Sequence, residues 1–172
     1  FETYNLTTFK EIFWDEEYKD ILKDKDIKTV LDVGANTGLA SLYFLIKLNL
    51  EHLISVEANP SLFKNNILEL KKYPNTSAEN VAVYGEMGHE LHFKISNNHR
   101  DSHIVESSDV NKDNMENVVS ISSSTLKSIA DKYSLSHIDL LKMDIEGGEY
   151  HIIDNDPESL KIFEYICIEV HG

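Results

Sequence analysis

The stretch Thr29-Val30-Leu31-Asp32-Val33-Gly34-Ala35-Asn36-Thr37-Gly38-Leu39-Ala40-Ser41-Leu42 constrains the fold more than any other part of the chain. Val30, Leu31 and Val33 make the short apolar run of a strand covered on both faces. Gly34 and Gly38 let the backbone bend sharply and approach a bound molecule, because no side chain intervenes. Asn36 or Thr37 is placed to cap a helix beginning near Gly38, and such an N-terminus favours an anion. A buried strand, a glycine turn and a helix in this order form the first half of a ligand-binding α/β unit.

The second half follows at the expected distance. Ile54-Ser55-Val56-Glu57 reads as a strand with Glu57 at its carboxyl end, a place suited to holding the two hydroxyls of a ribose. A solvated carboxylate at a strand end is the plainer reading, and the preceding glycine turn favours the ribose. The turn Gly34-Ala35-Asn36-Thr37-Gly38 lacks the third glycine of a dinucleotide fingerprint and the Gly-Lys-Ser/Thr ending of a phosphate loop. Asp32, just before the turn, would repel a pyrophosphate but suits an amino group. An amino acid joined to adenosine satisfies both ends, which points to S-adenosylmethionine.

Four segments carry a resemblance: Val30 to Gly38, Val56-Glu57-Ala58-Asn59-Pro60, Asp139-Leu140-Leu141-Lys142-Met143-Asp144-Ile145-Glu146-Gly147-Gly148-Glu149, and Ile168-Glu169-Val170-His171. In this order they resemble the FkbM family of S-adenosylmethionine-dependent methyltransferases, of the class I, Rossmann-like type. The third segment is the most specific of the four. The resemblance implies a doubly wound, mostly parallel α/β sheet with helices on both faces and strand order 3-2-1-4-5. It also implies further strands beyond Val170, so the chain is expected to lack the C-terminal strands. Its fifth strand would then be an edge, with Ile166-Cys167-Ile168 as an apolar hazard for the N-terminal segment or a second copy in a homo-oligomer to cover.

The pattern along the chain agrees with one domain: residues 1–26 as a helical cover and 27–172 as the cofactor-binding core. Phe9 to Lys23 reads as one amphipathic helix, with a further helix from Gly38 to about Asn49. His52 to Glu57 is the second strand, Pro60 starts a helix to about Tyr73, and Asn80 to Tyr84 is the third strand or its end. Glu90 to Ile95 alternates as a half-exposed strand, and Asn97 to Asn117 is polar and aperiodic, as in a loop. Val118 to Ile121 is a short strand, Ser124 to Tyr133 a helix capped by Ser123 or Ser124, and Ile138 to Met143 and Tyr165 to Val170 are strands four and five.

Ligands of open parallel sheets sit beyond the carboxyl ends of the strands. On that rule Gly34, Ala35 and Gly38 floor the methionine part, and Asp32 and Asn36 offer polar contacts to its ends. Glu57 holds the ribose, Ala58 or Asn59 borders the adenine, and Asn80 and Ala82 flank the base unless they are ordinary strand packing. Asp144 falls beside the sulfonium. Methyl transfer to a hydroxyl needs a proton acceptor, and Asp144, Glu146 and His171 are the candidates, His171 having the best-suited unperturbed pKa. Glu146 and Glu149 alternatively cap the helix that follows. Lys142 is expected to face outward or pair with a carboxylate. A Mg or Mn site of Asp144, Glu146, Glu169 and His171 is the minority reading; no metal is assigned.

A net charge of −14, from 16 basic against 30 acidic residues, argues against nucleic acid and anionic membrane as partners. The most apolar stretch, Leu39 to Leu50, is too short to span a bilayer. The cytoplasm is the default location. The family implies O-methylation of a small polar molecule or glycan, which the Asn97–His103 segment would read unless it is plain surface. A nicotinamide-dependent oxidoreductase and a non-catalytic cofactor-fold domain are the alternatives.

Overall fold

The computed structural model of the protein describes residues 3–96, 103–105 and 117–169. Five parallel strands make the central sheet: β1 (Thr29–Val33), β2 (His52–Val56), β3 (Thr76–Glu79), β8 (Ile138–Met143) and β9 (Phe163–Ile168). Their order, β3-β2-β1-β8-β9, is the expected third-second-first-fourth-fifth arrangement. A smaller sheet, β4-β7-β5-β6, is built from β4 (Ala82–Val83), β5 (Glu90–Lys94), β6 (His103–Val105) and β7 (Val118–Ser124).

Alternation along each parallel strand loads both faces. Leu31, Val33, Ile54, Val56, Leu141 and Met143 pack against α6 (Leu126–Lys132) and α7 (Glu149–Asn155). Val30, Leu53 and Leu140 point the other way, onto Tyr43 and Phe44 of α3 (Leu39–Lys47) and onto Ile12 and Tyr18 of the N-terminal segment. Because Val30 pairs with Leu140 and Asp32 with Lys142, the next residues on that second face are polar.

The local departures from expectation have physical causes. The N-terminal segment is not one helix: α1 (Thr3–Phe9) runs into a π-helical turn at Lys10–Trp14, the chain breaks, and α2 covers only Lys19–Leu22. Three consecutive acids, Asp15-Glu16-Glu17, sit where the helix dipole is negative, and Glu16 is left-handed at φ 52°. Exposed contacts from Lys19 and Lys47 to Glu16 fix that break. The third strand is Thr76–Glu79, not Asn80 to Tyr84. It is an edge strand of half-buried residues and carries little apolar signal, whereas the apolar Ala82-Val83 pair belongs to the second sheet. The helix opened by Pro60 ends at Leu70 after α4 (Pro60–Leu62), a π-helical turn at Phe63–Ile67 and α5 (Leu68–Leu70). The side chain of Thr125, not Ser123 or Ser124, caps α6 by accepting from the Ser128 N–H at 3.1 Å. Part of the expected loop, His103–Val105, pairs antiparallel with β5.

The amino ends of β1 and β8 are clamped far from the ligand rim. One Asp139 oxygen accepts from the backbone N–H groups of Lys28 and Thr29, each at 2.8 Å, and from the Thr29 hydroxyl at 3.0 Å. Partial burial would push the Asp139 carboxyl up, but these donors outweigh it and hold it below its ordinary value. A group lowered on folding stabilises above its unfolded pKa and loses that contribution as pH falls through the folded one. Asp139→Asn is therefore expected to cost about 2 kcal/mol in urea unfolding near neutral pH. The difference from wild type should shrink as pH falls below the ordinary carboxylate range. A pH-independent difference would contradict this assignment.

Candidate active site

The glycine turn is built by a chain crossing. The Gly34 and Ala35 N–H groups both donate to the Val56 carbonyl, at 3.0 and 2.9 Å, which draws the turn over the end of β2. Gly34 adopts φ 74°, and a Cβ there would lie 1.7 Å from the Asp144 carbonyl oxygen. Glycine is required at this position on both counts. Asn36 is left-handed as well, at φ 51°, a conformation Asn tolerates better than most residues.

Beyond the carboxyl ends of β1, β2 and β8 lies a cavity of about 580 Å³. Gly34, Ala35, Asn36, Glu57, Ala58, Asp144 and Glu146 of the expected set line it, as does Glu169. β8 ends at Met143, Glu146 turns back at φ 55°, and Asp144 and Glu146 both line the cavity. Among the described residues no group of three or more His, Cys, Asp or Glu is placed to hold a metal ion. His171 lies outside the described residues, as does the Asn97–His103 segment apart from the backbone of His103.

Four residues expected at the ligand are not part of the cavity lining: Asp32, Gly38, Asn80 and Ala82. Asp32 is fully buried and away from the cavity lining; its carboxylate accepts from the Ser41 hydroxyl at 2.5 Å and faces Lys142. Gly38 does not floor the cavity. At φ 80° it starts α3, without any side-chain cap, and its Cα side packs on Leu70 and Ile67. Asn80 spends its amide on the Glu57 and Ala58 carbonyls, at 2.7 and 3.1 Å. Ala82 is buried with Phe93 and Ile121 in the core of the second sheet. Asn59 likewise caps the helix at Pro60 by accepting from the Ser61 and Leu62 N–H groups.

Glu57 is 6% exposed and oriented by the backbone. One oxygen accepts from the Asn36 N–H and the other from the Asn59 N–H, both at 2.7 Å. Each carboxylate oxygen retains a lone pair, and the residue lines the cavity. Burial pushes its carboxyl up, against the pull of those two N–H groups. Glu149 has the structural role: buried in the first turn of α7, it accepts from the Ile145 N–H at 2.7 Å and the Gly147 N–H at 2.9 Å. It thereby holds the loop that carries Asp144 and Glu146.

Two elements of the site were read only in part from the sequence. Lys142 takes the carboxylate-pairing alternative rather than the outward one and is 6% exposed. Its Nζ donates to the Gly34 carbonyl at 2.9 Å, and lies 3.4 Å from Asp32 and 3.8 Å from Asp144. Burial alone would pull its pKa down; the Asp32 and Asp144 carboxylates outweigh burial and hold it up. The signal was a lone lysine inside the apolar run Leu140-Leu141-Lys142-Met143, aligned with Asp32 across the strand pair. The second element is the N-terminal segment, whose Glu11, Ile12, Glu17 and Tyr18 wall the cavity opposite the glycine turn. Phe93 of the second sheet completes the lining.

The family model of the methyltransferase FkbM domain matches residues 32–172. No curated protein matches the chain. Among solved structures, the crystal structure of a candidate RNA methyltransferase from Pyrococcus horikoshii is similar at 16% identity and a TM-score of 0.45. The match covers 93% of this chain, and this chain spans 57% of the length of that one.

The buried pair makes a stability prediction. Lys142→Met leaves Asp32 charged and fully buried, and should cost about 3–5 kcal/mol in chemical unfolding. The double variant Asp32→Asn/Lys142→Met should recover most of that loss, since it removes both charges. Additive losses in the double variant would contradict the pairing.

Proposed function

The chain belongs to the methyltransferase FkbM domain family, and from that premise we propose that its cavity binds S-adenosylmethionine and directs the methyl group to an oxygen of a small polar molecule or glycan. The observation that carries the reading is Glu57, held by two backbone N–H groups at the end of β2 with its remaining lone pairs available to the cavity. Two hydroxyls of a ribose match that pair of acceptors. The glycine turn supports the same ligand: Gly34 and Ala35 bring bare backbone to the cavity wall, and Asn36 Oδ1 has no hydrogen-bond partner among the described residues.

When bound, the cofactor supplies an electrophilic methyl on a sulfonium, so the protein's task is positioning and proton management. Asp144 and Glu146 present carboxylates at the end of β8, where an acceptor hydroxyl must lose its proton. His171 is kept as a third candidate base on sequence grounds. Lys142 acts on Asp144 from behind and ties it to the glycine turn, while Glu149 fixes the connecting loop. The surplus of carboxylates around the cavity and the net charge of −14 favour a small acceptor over nucleic acid. Among the described residues no helix is long and apolar enough to cross a membrane; a cytoplasmic location is proposed with the small-molecule acceptor.

Calorimetric titration tests the cofactor. S-adenosylmethionine and S-adenosylhomocysteine should bind and NAD should not, and Glu57→Gln should weaken both by about tenfold or more, because an amide cannot accept at both positions. Binding of NAD alone would overturn the reading. In a methyl-transfer assay, Asp144→Asn should retain cofactor binding and lose about 100-fold or more in turnover if Asp144 is the base. Unchanged turnover would move that role to Glu146 or His171.

A further inference from the structure

We propose that Tyr18, together with Glu17 and Glu169, forms a subsite in this cavity for an ammonium group carried by the acceptor. All three residues line the cavity, and Glu17 and Tyr18 precede the stretch matched by the family model. The inference rests on the methyltransferase reading only for describing the ligand as an acceptor.

Tyr18 is 6% exposed, and its ring is wedged against Tyr43 and Phe44, with centroids 6.0 and 5.1 Å away. It sits at the break in the N-terminal segment, immediately before α2. Its hydroxyl makes no hydrogen bond among the described residues and, unlike the ring, is not an enclosed atom, so it is open to a donor in the cavity. The charges acting on that hydroxyl include Glu17, Asp32 and Asp144. Burial first, and these carboxylates second, keep it a neutral phenol whose lone pairs can accept.

The charge balance selects the ligand group. Lys142 is the one cation lining the cavity among the described residues, and Asp32 and Asp144 already face it. Glu17 and Glu169 make no side-chain hydrogen bond or ion pair among the described residues. Desolvation first, and repulsion from Glu169 and Glu11 after it, hold the Glu17 carboxyl up. An ammonium satisfies this corner: three N–H groups meet the Tyr18 oxygen and two carboxylates, and its charge relieves their repulsion. A neutral hydroxyl would leave the charges unmatched. An amine-bearing polyol, such as an amino sugar, has both the ammonium and the hydroxyl to be methylated.

The cofactor's methionine end also carries an ammonium, so the test separates the two sources. Glucosamine, N-acetylglucosamine and glucose are titrated by ligand-observed NMR into the full chain, with and without saturating S-adenosylhomocysteine. Glucosamine should bind about tenfold more tightly than the other two. Glu17→Gln and Tyr18→Phe, which keeps the ring packing, should each erase most of that preference while leaving S-adenosylhomocysteine affinity unchanged. Equal binding of the three sugars, or a preference that survives both variants, would overturn the proposal. Loss of S-adenosylhomocysteine affinity in the variants would overturn it too, by assigning the subsite to the cofactor. If S-adenosylhomocysteine fails to bind wild type, the methyltransferase reading falls, and the glucosamine preference of the unloaded protein still decides the subsite.

Discussion

Lys142 Nζ, buried at the end of β8, bonds the Gly34 carbonyl at 2.9 Å and faces Asp32 at 3.4 Å, and the geometry of the whole rim depends on that contact. Cross-strand register sets Ser55, Asp32, Lys142 and Cys167 side by side across four strands on one face of the sheet. Ser41 of α3 reaches into this row, touching Asp32 at 2.5 Å and Ser55 at 2.7 Å. Two buried charges are costly unless each has partners, and here Ser41 donates to Asp32 while Lys142 bonds the Gly34 carbonyl and faces Asp32 as an ion pair. The row thus locks α3, the glycine turn and the start of the Asp144 loop into one arrangement. A rim that must hold a ligand without reorganising needs this kind of fixed support.

Around that support the cavity is assembled from parts distant in the chain. The glycine turn and Glu57 make one wall, the loop after β8 another, and Phe93 and the N-terminal segment close the rest. Backbone N–H groups, rather than side chains, orient both Glu57 and Glu149, so these two carboxylates inherit the rigidity of the turns that hold them. The N-terminal wall is of a different kind. It is a short helix with a π-helical turn, broken at an acidic triplet and anchored mainly through Ile12 and Tyr18. The proposed cofactor contacts fall on the part of the chain that the family model matches, and the proposed acceptor contacts fall largely on the part that precedes it.

The sheet was legible because its strands are apolar runs bounded by glycine, acid or proline, and parallel strands buried on both faces must read that way. β8 begins and ends where its sequence pattern does. β3 was not legible: Thr76-Ser77-Ala78-Glu79 is a polar edge strand, and the apolar pair just after it joined another sheet. At the site, Glu57 and Gly34 were readable because a turn of this type leaves few residues able to occupy those places. Asp32, expected to meet the ligand, is instead buried, and Lys142 takes its carboxylate-pairing alternative; the register that sets them opposite each other explains why both are buried. Tyr18 was legible as part of the apolar face of a covering helix, but its place in the cavity wall was not, since a helical pattern drawn through Phe9 to Lys23 conceals the break before it.

The most direct measurement is a crystal structure of the protein with S-adenosylhomocysteine. The account predicts the ligand in the cavity at the carboxyl ends of β1, β2 and β8, with both ribose hydroxyls on Glu57 and the sulfur beside Asp144. A ligand bound elsewhere, or one in the same cavity with its ribose away from Glu57, would contradict it.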